Sequence, residues 1–208
     1  LIQYVASKGK PVIISTGIAT LSEIEEAIDT CRKVGNNQIM LLKCTSAYPA
    51  PVQESNLLTI PDMAKRFGVI TGLSDHTMGS TVSVAAVALG ARIIEKHFIL
   101  NRNIGGPDAS FSMEPEEFKQ MVDDIRIVEK ALGKVNYELS TLSLKSKFAA
   151  RSLFVCEDVK AGHVITEKEV RSIRPGAGLH PRYLPQVIGK KAKYDLKKGT
   201  PFSLDMVE

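Results

Sequence analysis

Gly-Leu-Ser-Asp-His-Thr at residues 72–77 and Glu-Lys-His-Phe at residues 95–98 each close a hydrophobic, strand-like run, and about twenty residues of helix-like sequence separate them. Parallel strands need such a crossover connection, so the two runs predict a βαβ unit. The carboxyl ends of parallel strands lie at one rim, which would bring the imidazoles of His76 and His97 together. Two neutral imidazoles can hold a divalent metal and leave positions open for substrate and water. In the alternative, each histidine is a hydrogen-bonded core or rim residue.

The residues beside the two histidines are polar as well. Side chains alternate along a strand, so Ser74 shares a face with His76, and Glu95 shares a face with His97. A packed core would not tolerate this hydroxyl and carboxylate without partners, which favours a catalytic cluster that includes Glu95. The same alternation directs Lys96 towards a helix, away from the cluster.

Alternating strand and helix signals extend over about the first 133 residues. The strands are predicted at residues 11–17, 39–44, 69–74 and 91–98, with helices at 21–34, 56–67, 81–89 and from 114 onwards. Ser22, with Glu25 three residues on, is the predicted N-cap of the first of these helices. Apolar strands of this kind need cover on both faces, as in an α/β barrel or a doubly wound sheet.

Four βα units are half of a (β/α)₈ barrel, which usually needs ~250 residues. The chain also begins within a helix-like segment, residues 1–7, rather than before a strand. We therefore expect the carboxyl-terminal half of a TIM barrel from a longer protein. The alternative is a complete four-strand α/β layer.

Further polar residues follow the other strands. Ser15 and Ser46 add hydroxyls to the same rim, where hydroxyls, helix amino termini and a metal would suit a phosphate or a carboxylate, although Ser commonly ends strands. Asp108 follows a Gly-Gly-Pro turn just past the second histidine. It would bind a polyhydroxylated substrate, transfer a proton or simply cap the turn.

Bulk composition excludes several classes of protein. The chain has 208 residues, 44% hydrophobic and 24% charged, and no apolar run near the ~20 residues that span a bilayer. Three scattered cysteines indicate neither a disulfide framework nor a zinc site, so we expect a cytoplasmic protein. Residues 141–208 carry 13 Lys and Arg against 7 Asp and Glu, but without interleaved aromatics this charge does not predict nucleic-acid binding.

The pattern changes after a polar stretch. We predict a barrel part at residues 1–133, a linker at 134–148 and a small β-rich domain at 149–208. A faint repeat relates residues 158–170 to residues 195–207, each copy with a Lys-x-Gly turn and a Thr- or Ser-capped turn of helix. This repeat predicts a pseudo-symmetric domain that presents a loop at residues 174–181.

Several of these motifs, in this order and spacing, resemble the sialic acid synthase family. They are residues 72–77 and 95–98, Gly-Gly-Pro-Asp at 105–108, Ser-Met-Glu-Pro at 112–115 and Cys-Thr-Ser-Ala-Tyr-Pro at 44–49. The tail is similar to the family's antifreeze-like, or SAF, domain, a β-clip fold, with Arg-Pro-Gly at 174–176 as the signature. The resemblance covers essentially the whole chain.

The resemblance implies condensation of phosphoenolpyruvate with an N-acylated amino-sugar aldehyde, giving a nine-carbon 2-keto sugar acid and phosphate. Family members hold a divalent ion, typically Mn²⁺, with Mg²⁺ and Co²⁺ as alternatives, on histidines that match His76 and His97. By the same similarity Ser15, Ser46 and Ser74 contact phosphoenolpyruvate, and Tyr48 and Asp108 contact the sugar. Position 46 is often asparagine in neuraminate synthases. Arg174 matches an arginine that reaches into a partner subunit's barrel to hold the N-acyl group, which implies a domain-swapped homodimer.

Within the family, residues 42–51 and 178–181 look most like the pseudaminic acid synthase branch, whose sugar is 2,4-diacetamido-2,4,6-trideoxy-L-altrose. Neuraminate or legionaminate synthases remain the close alternative. The family's amino-terminal half, which supplies further lysine, glutamate and glutamine contacts, is absent, so we expect the chain alone to be inactive. Two hypotheses of another class stay open: a sugar-binding or dimerisation module, and a metal-dependent aldolase that releases no phosphate.

Overall fold

The computed structural model describes all 208 residues, which form two compact units, Leu1–Lys134 and Val135–Glu208. The second unit includes a helix, Thr141–Lys147, within the residues that the sequence predicts to be a linker. None of the helices combines the length and the hydropathy that crossing a lipid bilayer requires.

The first unit is an α/β layer whose parallel sheet curls as half of a barrel does. Its four strands pair in chain order, each parallel to the next. The strands are β1 (Val12–Ser15), β2 (Ile39–Cys44), β3 (Ile70–Asp75) and β4 (Ile93–Lys96). The helices are α1 (Ile2–Ala6), α2 (Leu21–Lys33), α3 (Thr59–Phe67), α4 (Thr81–Ala88) and α5 (Pro115–Leu132). The predicted α/β class and half-barrel are confirmed.

The register of the sheet decides which side chains share a face. Ser15 pairs with Leu42, Cys44 with Ser74, and Ser74 with Glu95. Paired residues of parallel strands point to the same side, and alternate residues of one strand do too. The candidate residues Ser15, Ser74 and Glu95 therefore lie on one face, with His76 and His97 next in the alternation just past the ends of β3 and β4.

The helices pack on the opposite face of the sheet. Ile28 and Cys31 of α2 and Met63 of α3 form a buried cluster with Ile39 and Leu41 of β2. On the face that carries the candidate site, Ile13 and Ile70 are each 52% exposed. The sequence predicts that both faces of the sheet are covered, whereas in the structure the helices cover only one face.

The N-cap of α2 differs from the prediction. Thr20, not Ser22, caps the helix: the Thr20 backbone N–H donates to Glu23 Oε2 (2.7 Å), and the Glu23 N–H donates to Thr20 Oγ1 (3.4 Å). Thr20 keeps an extended backbone (φ −74°, ψ 163°), which an N-cap requires, whereas Ser22 already lies in the first helical turn.

Two predicted boundaries are also wrong. α3 begins at Thr59 rather than near Asn56, because Asn56 has a φ of 43°, which a right-handed helix excludes. β4 ends at Lys96 rather than at Phe98, because its pairing with β3 stops at Asp75 and Lys96. Beyond it, Phe98 forms a bridge with Met113, and the Met113 N–H donates to the His97 carbonyl (2.9 Å).

The second unit is built on a short antiparallel pair and a set of single bridges. Its regular elements are α6 (Thr141–Lys147), β5 (Ser152–Val155), β6 (Val170–Ile173) and α7 (Leu184–Val187). Ten buried side chains form its core, and they are Leu153, Val155, Val159, Ile165, Val170, Val187, Ala192, Leu196, Phe202 and Val207.

The predicted internal repeat is confirmed by a reciprocal exchange. Val159 and Leu196, one from each copy, form a bridge. Lys160 Nζ bonds Asp195 (2.7 Å), and Lys197 Nζ bonds Asp158 (3.0 Å). Each copy therefore closes the turn of the other, as expected of a pseudo-two-fold arrangement.

Candidate functional site

The two histidines that follow β3 and β4 come together at the carboxyl rim. Their ring centroids are 5.1 Å apart, and the rings meet nearly edge to face at 68°. Both line a cavity of about 250 Å³, together with Ser74, Glu95 and Lys96. The sequence predicts this grouping of His76 with His97 from the βα pattern alone.

The protein environment of His76 determines its tautomer. His76 Nδ1 lies 2.9 Å from the Thr45 carbonyl oxygen, and the residue is only 8% exposed. A carbonyl oxygen can only accept, so in the neutral ring Nδ1 carries the proton and Nε2 has the free lone pair. Such a backbone bond is the usual way in which proteins orient a metal-binding imidazole.

His97 lies beside an acid and an aromatic ring. Its Nδ1 is 3.7 Å from Asp108 Oδ2, longer than a hydrogen bond, with Asp108 about half exposed. The Phe111 ring packs against the imidazole with centroids 5.0 Å apart. The loop thus places Asp108 at the edge of the histidine pair.

Tyr48 completes an aromatic wall around the pair. Its ring centroid is 4.3 Å from that of His76, 5.9 Å from that of His97 and 5.9 Å from that of Phe111. Tyr48 nevertheless remains 55% exposed. The sequence predicts Tyr48 at the site but misses Phe111, whose only signal is that it is the one aromatic residue of the loop at 101–112.

Ser74 and Glu95 bond across the two strands. The Ser74 hydroxyl donates to Glu95 Oε1 at 2.6 Å, and Ser74 is 4% exposed. Glu95 Oε2 has no hydrogen bond from the protein. The two polar residues beside the histidines are therefore partners, with one carboxylate oxygen left over.

Of the remaining predicted residues, Ser15 and Ser46 of the first unit do not line the cavity of the histidine pair. Ser15 ends β1 exposed on the same face. Ser46 lines a neighbouring hollow with Gly17 and Lys43, where burial lowers the pKa of the Lys43 ammonium. Arg174 is exposed in the second unit, in the loop after β6.

The metal-binding capacity of the site rests on the two imidazoles. No group of three or more His, Cys, Asp or Glu side chains is placed to hold an ion together. Two histidines with open positions beside them fit a catalytic ion that also takes substrate oxygen and water, rather than a closed structural site. The tautomer of His76 fits such an ion as well.

Comparisons with known proteins agree with this geometry. The NeuB family model matches residues 1–137, and the SAF domain model matches residues 150–208. The pseudaminic acid synthase of Helicobacter pylori is 46% identical over 209 residues, covering 100% of this chain and 62% of that protein. The N,N'-diacetyllegionaminic acid synthase of Legionella pneumophila is 37% identical over 212 residues, covering 100% of this chain and 60% of that protein.

A solved structure shows the same fold. The crystal structure of the spore coat polysaccharide biosynthesis protein spsE from Bacillus subtilis superposes with a TM-score of 0.61 at 36% identity, covering 100% of this chain and 64% of that one. The chain thus spans about three fifths of the length of these relatives. With a half-barrel, a histidine pair at its rim and a matching second unit, the chain belongs to the NeuB family and carries a SAF domain at residues 150–208.

Proposed function

We propose that the protein of which this chain is part, or the whole, condenses phosphoenolpyruvate with 2,4-diacetamido-2,4,6-trideoxy-L-altrose. The enol carbon bonds to the aldehyde carbon, water adds at the phosphate-bearing carbon, and phosphate leaves with cleavage of the carbon–oxygen bond. Three carbons and six give the nine-carbon 2-keto acid, pseudaminic acid. The observation that carries the proposal is the His76–His97 pair at the rim of a NeuB half-barrel.

The choice of sugar is supported by the degree of similarity. Identity is 46% to the Helicobacter pseudaminic acid synthase and 37% to the Legionella legionaminic acid synthase, over the whole chain in both cases. A legionaminate or neuraminate precursor is the alternative, because the sugars of this family differ in few contacts.

His76 and His97 would hold a divalent cation, Mn²⁺ in the first instance, through their unprotonated ring nitrogens. When bound, the ion would polarise the aldehyde oxygen and make its carbon electrophilic. The hydrogen bond from His76 Nδ1 to the Thr45 carbonyl would hold the ring in one orientation before a ligand binds. Tyr48 and Phe111 shield the pair from bulk water on one side.

Glu95 is proposed to act as the general base for the attacking water. Its Oε1 is held by Ser74, which leaves Oε2 to accept a proton from water adding to the phosphate-bearing carbon. Ser15 and Ser46 are proposed to bind the phosphate or carboxylate of phosphoenolpyruvate. Ser74 is proposed to bind phosphoenolpyruvate as well; because the phosphate and carboxylate oxygens of that substrate only accept, the Ser74 hydroxyl would have to donate to it in place of Glu95.

The sugar is proposed to lie against Tyr48 and Asp108. Asp108 is about half exposed beside His97, where its carboxylate would accept hydrogen bonds from sugar hydroxyls. Arg174 of a second copy is proposed to hold the N-acyl group in a domain-swapped homodimer, for which its exposure in the loop after β6 is the support. A cytoplasmic location also stays a prediction.

Phosphate release tests the reaction. The protein is incubated with Mn²⁺, phosphoenolpyruvate and one of three aldehydes: the altrose derivative, the legionaminate precursor or N-acetylmannosamine. Because the chain spans about three fifths of its relatives' length, the assay is run both on it and on the protein extended to its relatives' full length. Release with the altrose sugar alone supports the proposal, and release with another sugar moves the protein to that branch.

Two outcomes would overturn the proposed reaction. A carbon–carbon bond formed without phosphate release indicates the metal-dependent aldolase. If the extended protein releases no phosphate with any of the sugars, the hypothesis of a sugar-binding or dimerisation module is favoured. An equilibrium binding measurement with the same sugars then tests that hypothesis.

A further inference from the structure

A buried ion pair lies directly behind the two histidines. Asp75 precedes His76 and Lys96 precedes His97, and the two are register partners at the ends of β3 and β4. Lys96 Nζ is 2.9 Å from Asp75 Oδ2, and both side chains are 1% exposed. Because side chains alternate along strands, this pair lies on the helix-facing side of the sheet while the imidazoles lie on the other.

Every polar atom of this pair is satisfied. Asp75 Oδ1 accepts from the backbone N–H and the hydroxyl of Thr77, both at 2.8 Å, and Oδ2 accepts from the Ser83 hydroxyl of α4 at 2.6 Å as well as from Lys96. Lys96 also donates to the Thr77 carbonyl at 2.6 Å. The backbone on both sides of His76 is therefore fixed by one network, and Lys96 ties it to the strand end that carries His97.

Stability alone does not account for such a pair. Desolvation of two charges offsets much of their attraction, and replacing both members of a buried pair by neutral residues of similar volume is often neutral or stabilising. An apolar pair of similar volume makes no directional hydrogen bonds. It would pack between the strand ends without fixing the distance from the end of β4 to the end of β3. The distance that has to be fixed is the 5.1 Å between the ring centroids of His76 and His97.

We propose that Asp75 and Lys96 are positioning residues, which set the separation and orientation of His76 and His97 through the strand ends and so tune the affinity of the site for a divalent cation. The affinity part of this inference rests on the metal role proposed above for the histidines, whereas the geometric part does not. Lys96 borders the cavity of the histidines, but its ammonium is bonded to Asp75 and to the Thr77 carbonyl, so neither residue is assigned a step in the reaction.

Three variants separate positioning from simple electrostatics. Asp75→Asn leaves a positive charge behind the site, and Lys96→Met leaves a negative one. If the pair acts through its charge, the first variant weakens Mn²⁺ binding and the second strengthens it. Positioning predicts that both weaken it, and that the double variant does so as well although its net charge equals that of the unchanged protein.

The double variant Asp75→Asn/Lys96→Met also keeps the proposal testable if the single variants fail to fold. Neutralising both partners avoids an unpaired buried charge, so its melting temperature is expected to stay close to that of the unchanged protein. Asp62→Asn/Arg66→Met is the matched control, because it neutralises both members of an exposed ion pair on α3 in the same way.

Two properties of each protein are measured. Nuclear Overhauser effects between the His76 and His97 ring protons, recorded without metal, report the geometry directly. Titration with Mn²⁺ alone reports affinity, for which changes behind a metal site typically weaken binding about 10-fold or more. In the double variant we expect the ring-to-ring Overhauser effects to disappear and Mn²⁺ to bind about 10-fold more weakly, whereas the control should match the unchanged protein in both.

The outcomes distinguish the two proposals. Ring-to-ring Overhauser effects that persist in the folded double variant overturn the positioning role, whatever the Mn²⁺ affinity. In another outcome, the Overhauser effects disappear from the double variant while even the unchanged protein does not bind Mn²⁺. That outcome upholds the positioning role and overturns the metal assignment. Single variants with opposite effects on Mn²⁺ affinity assign the pair an electrostatic role instead.

Discussion

Ser74 Oγ donates a 2.6 Å hydrogen bond to Glu95 Oε1 across β3 and β4, two residues before each of the two histidines. The bond gives Ser74 a function that its resemblance to a phosphoenolpyruvate contact does not include. Ser74 holds one oxygen of the Glu95 carboxylate, and both residues line the rim cavity.

Ser74→Ala is therefore expected to lower kcat more than it raises the KM for phosphoenolpyruvate. A hydrogen bond to a charged group contributes about 1.5 kcal/mol or more, which corresponds to roughly 10-fold in rate. Steady-state phosphate release by the active protein measures both constants. Ser15→Ala is the control, since Ser15 has no bond to Glu95, and it is expected to raise the KM. A Ser74 variant that changes only the KM would return Ser74 to the substrate-binding role.

His76→Ala and His97→Ala are each expected to abolish metal-dependent phosphate release while the fold persists. Each removes one of two imidazole ligands, and no third His, Cys, Asp or Glu side chain stands in. Circular dichroism checks the fold, and Mn²⁺ titration checks the site. Undiminished activity in either variant would refute the metal assignment.

The positions of the strands, and the faces on which their side chains lie, can be predicted from the sequence because both depend on local residue patterns. The apolar run Ile39–Cys44 is a strand to the residue, and alternation alone placed Ser74 and Glu95 beside the histidines. The same rule directed Lys96 to the helix side but did not identify Asp75 as its partner. That pairing depends on the register of β3 against β4, which no local pattern contains.

Long-range packing and local ambiguity account for the other differences. Phe111 contacts His97 and Tyr48 only because a loop folds back over the rim, which the sequence does not indicate. At α2, both Thr20 and Ser22 are followed three residues later by glutamate, so two capping boxes fit the sequence equally. The structure decides between them by where the extended backbone ends.

Thr20→Ala is expected to destabilise the first unit by about 1 kcal/mol, the usual effect of losing an N-cap side chain. Ser22→Ala is the comparison, because Ser22 lies in the first turn of α2 and its hydroxyl contacts Thr20 Oγ1 (3.1 Å) but no backbone N–H. Urea unfolding followed by the helical signal measures both variants. A larger loss in Ser22→Ala than in Thr20→Ala would restore the cap predicted from the sequence.

The crossed ion pairs of the second unit predict acid sensitivity. The Lys198 backbone N–H and the Lys197 ammonium lower the pKa of Asp158, and the Lys160 ammonium and the Ala161 N–H lower the pKa of Asp195. A lowered pKa in the folded state means that the stabilisation is present above the ordinary value of 3.8 and is lost as the pH falls through the folded value. The stability of this unit should therefore fall below about pH 3.8.

Asp158→Asn/Asp195→Asn is expected to flatten this acid dependence. Thermal unfolding between about pH 7 and about pH 2, followed through signals of the second unit, measures the effect. Lys160→Met/Lys197→Met should flatten it only in part, because the backbone donors to both carboxylates remain. An unchanged pH profile in the double asparagine variant would show that these carboxylates do not govern the acid transition.

Arg174→Ala is expected to raise the KM for the sugar more than the KM for phosphoenolpyruvate, because its guanidinium is proposed to serve only the N-acyl group. Arg174→Lys keeps the charge but loses the planar fork of donors, so a bidentate contact predicts that lysine restores little of the loss. Mixing the Arg174→Ala protein with a His76→Ala protein tests the second copy. In a swapped dimer, half of the mixed pairs' sites combine an intact histidine pair with an intact arginine, so activity should partly return. Sites built within one copy would leave the mixture no more active than its components.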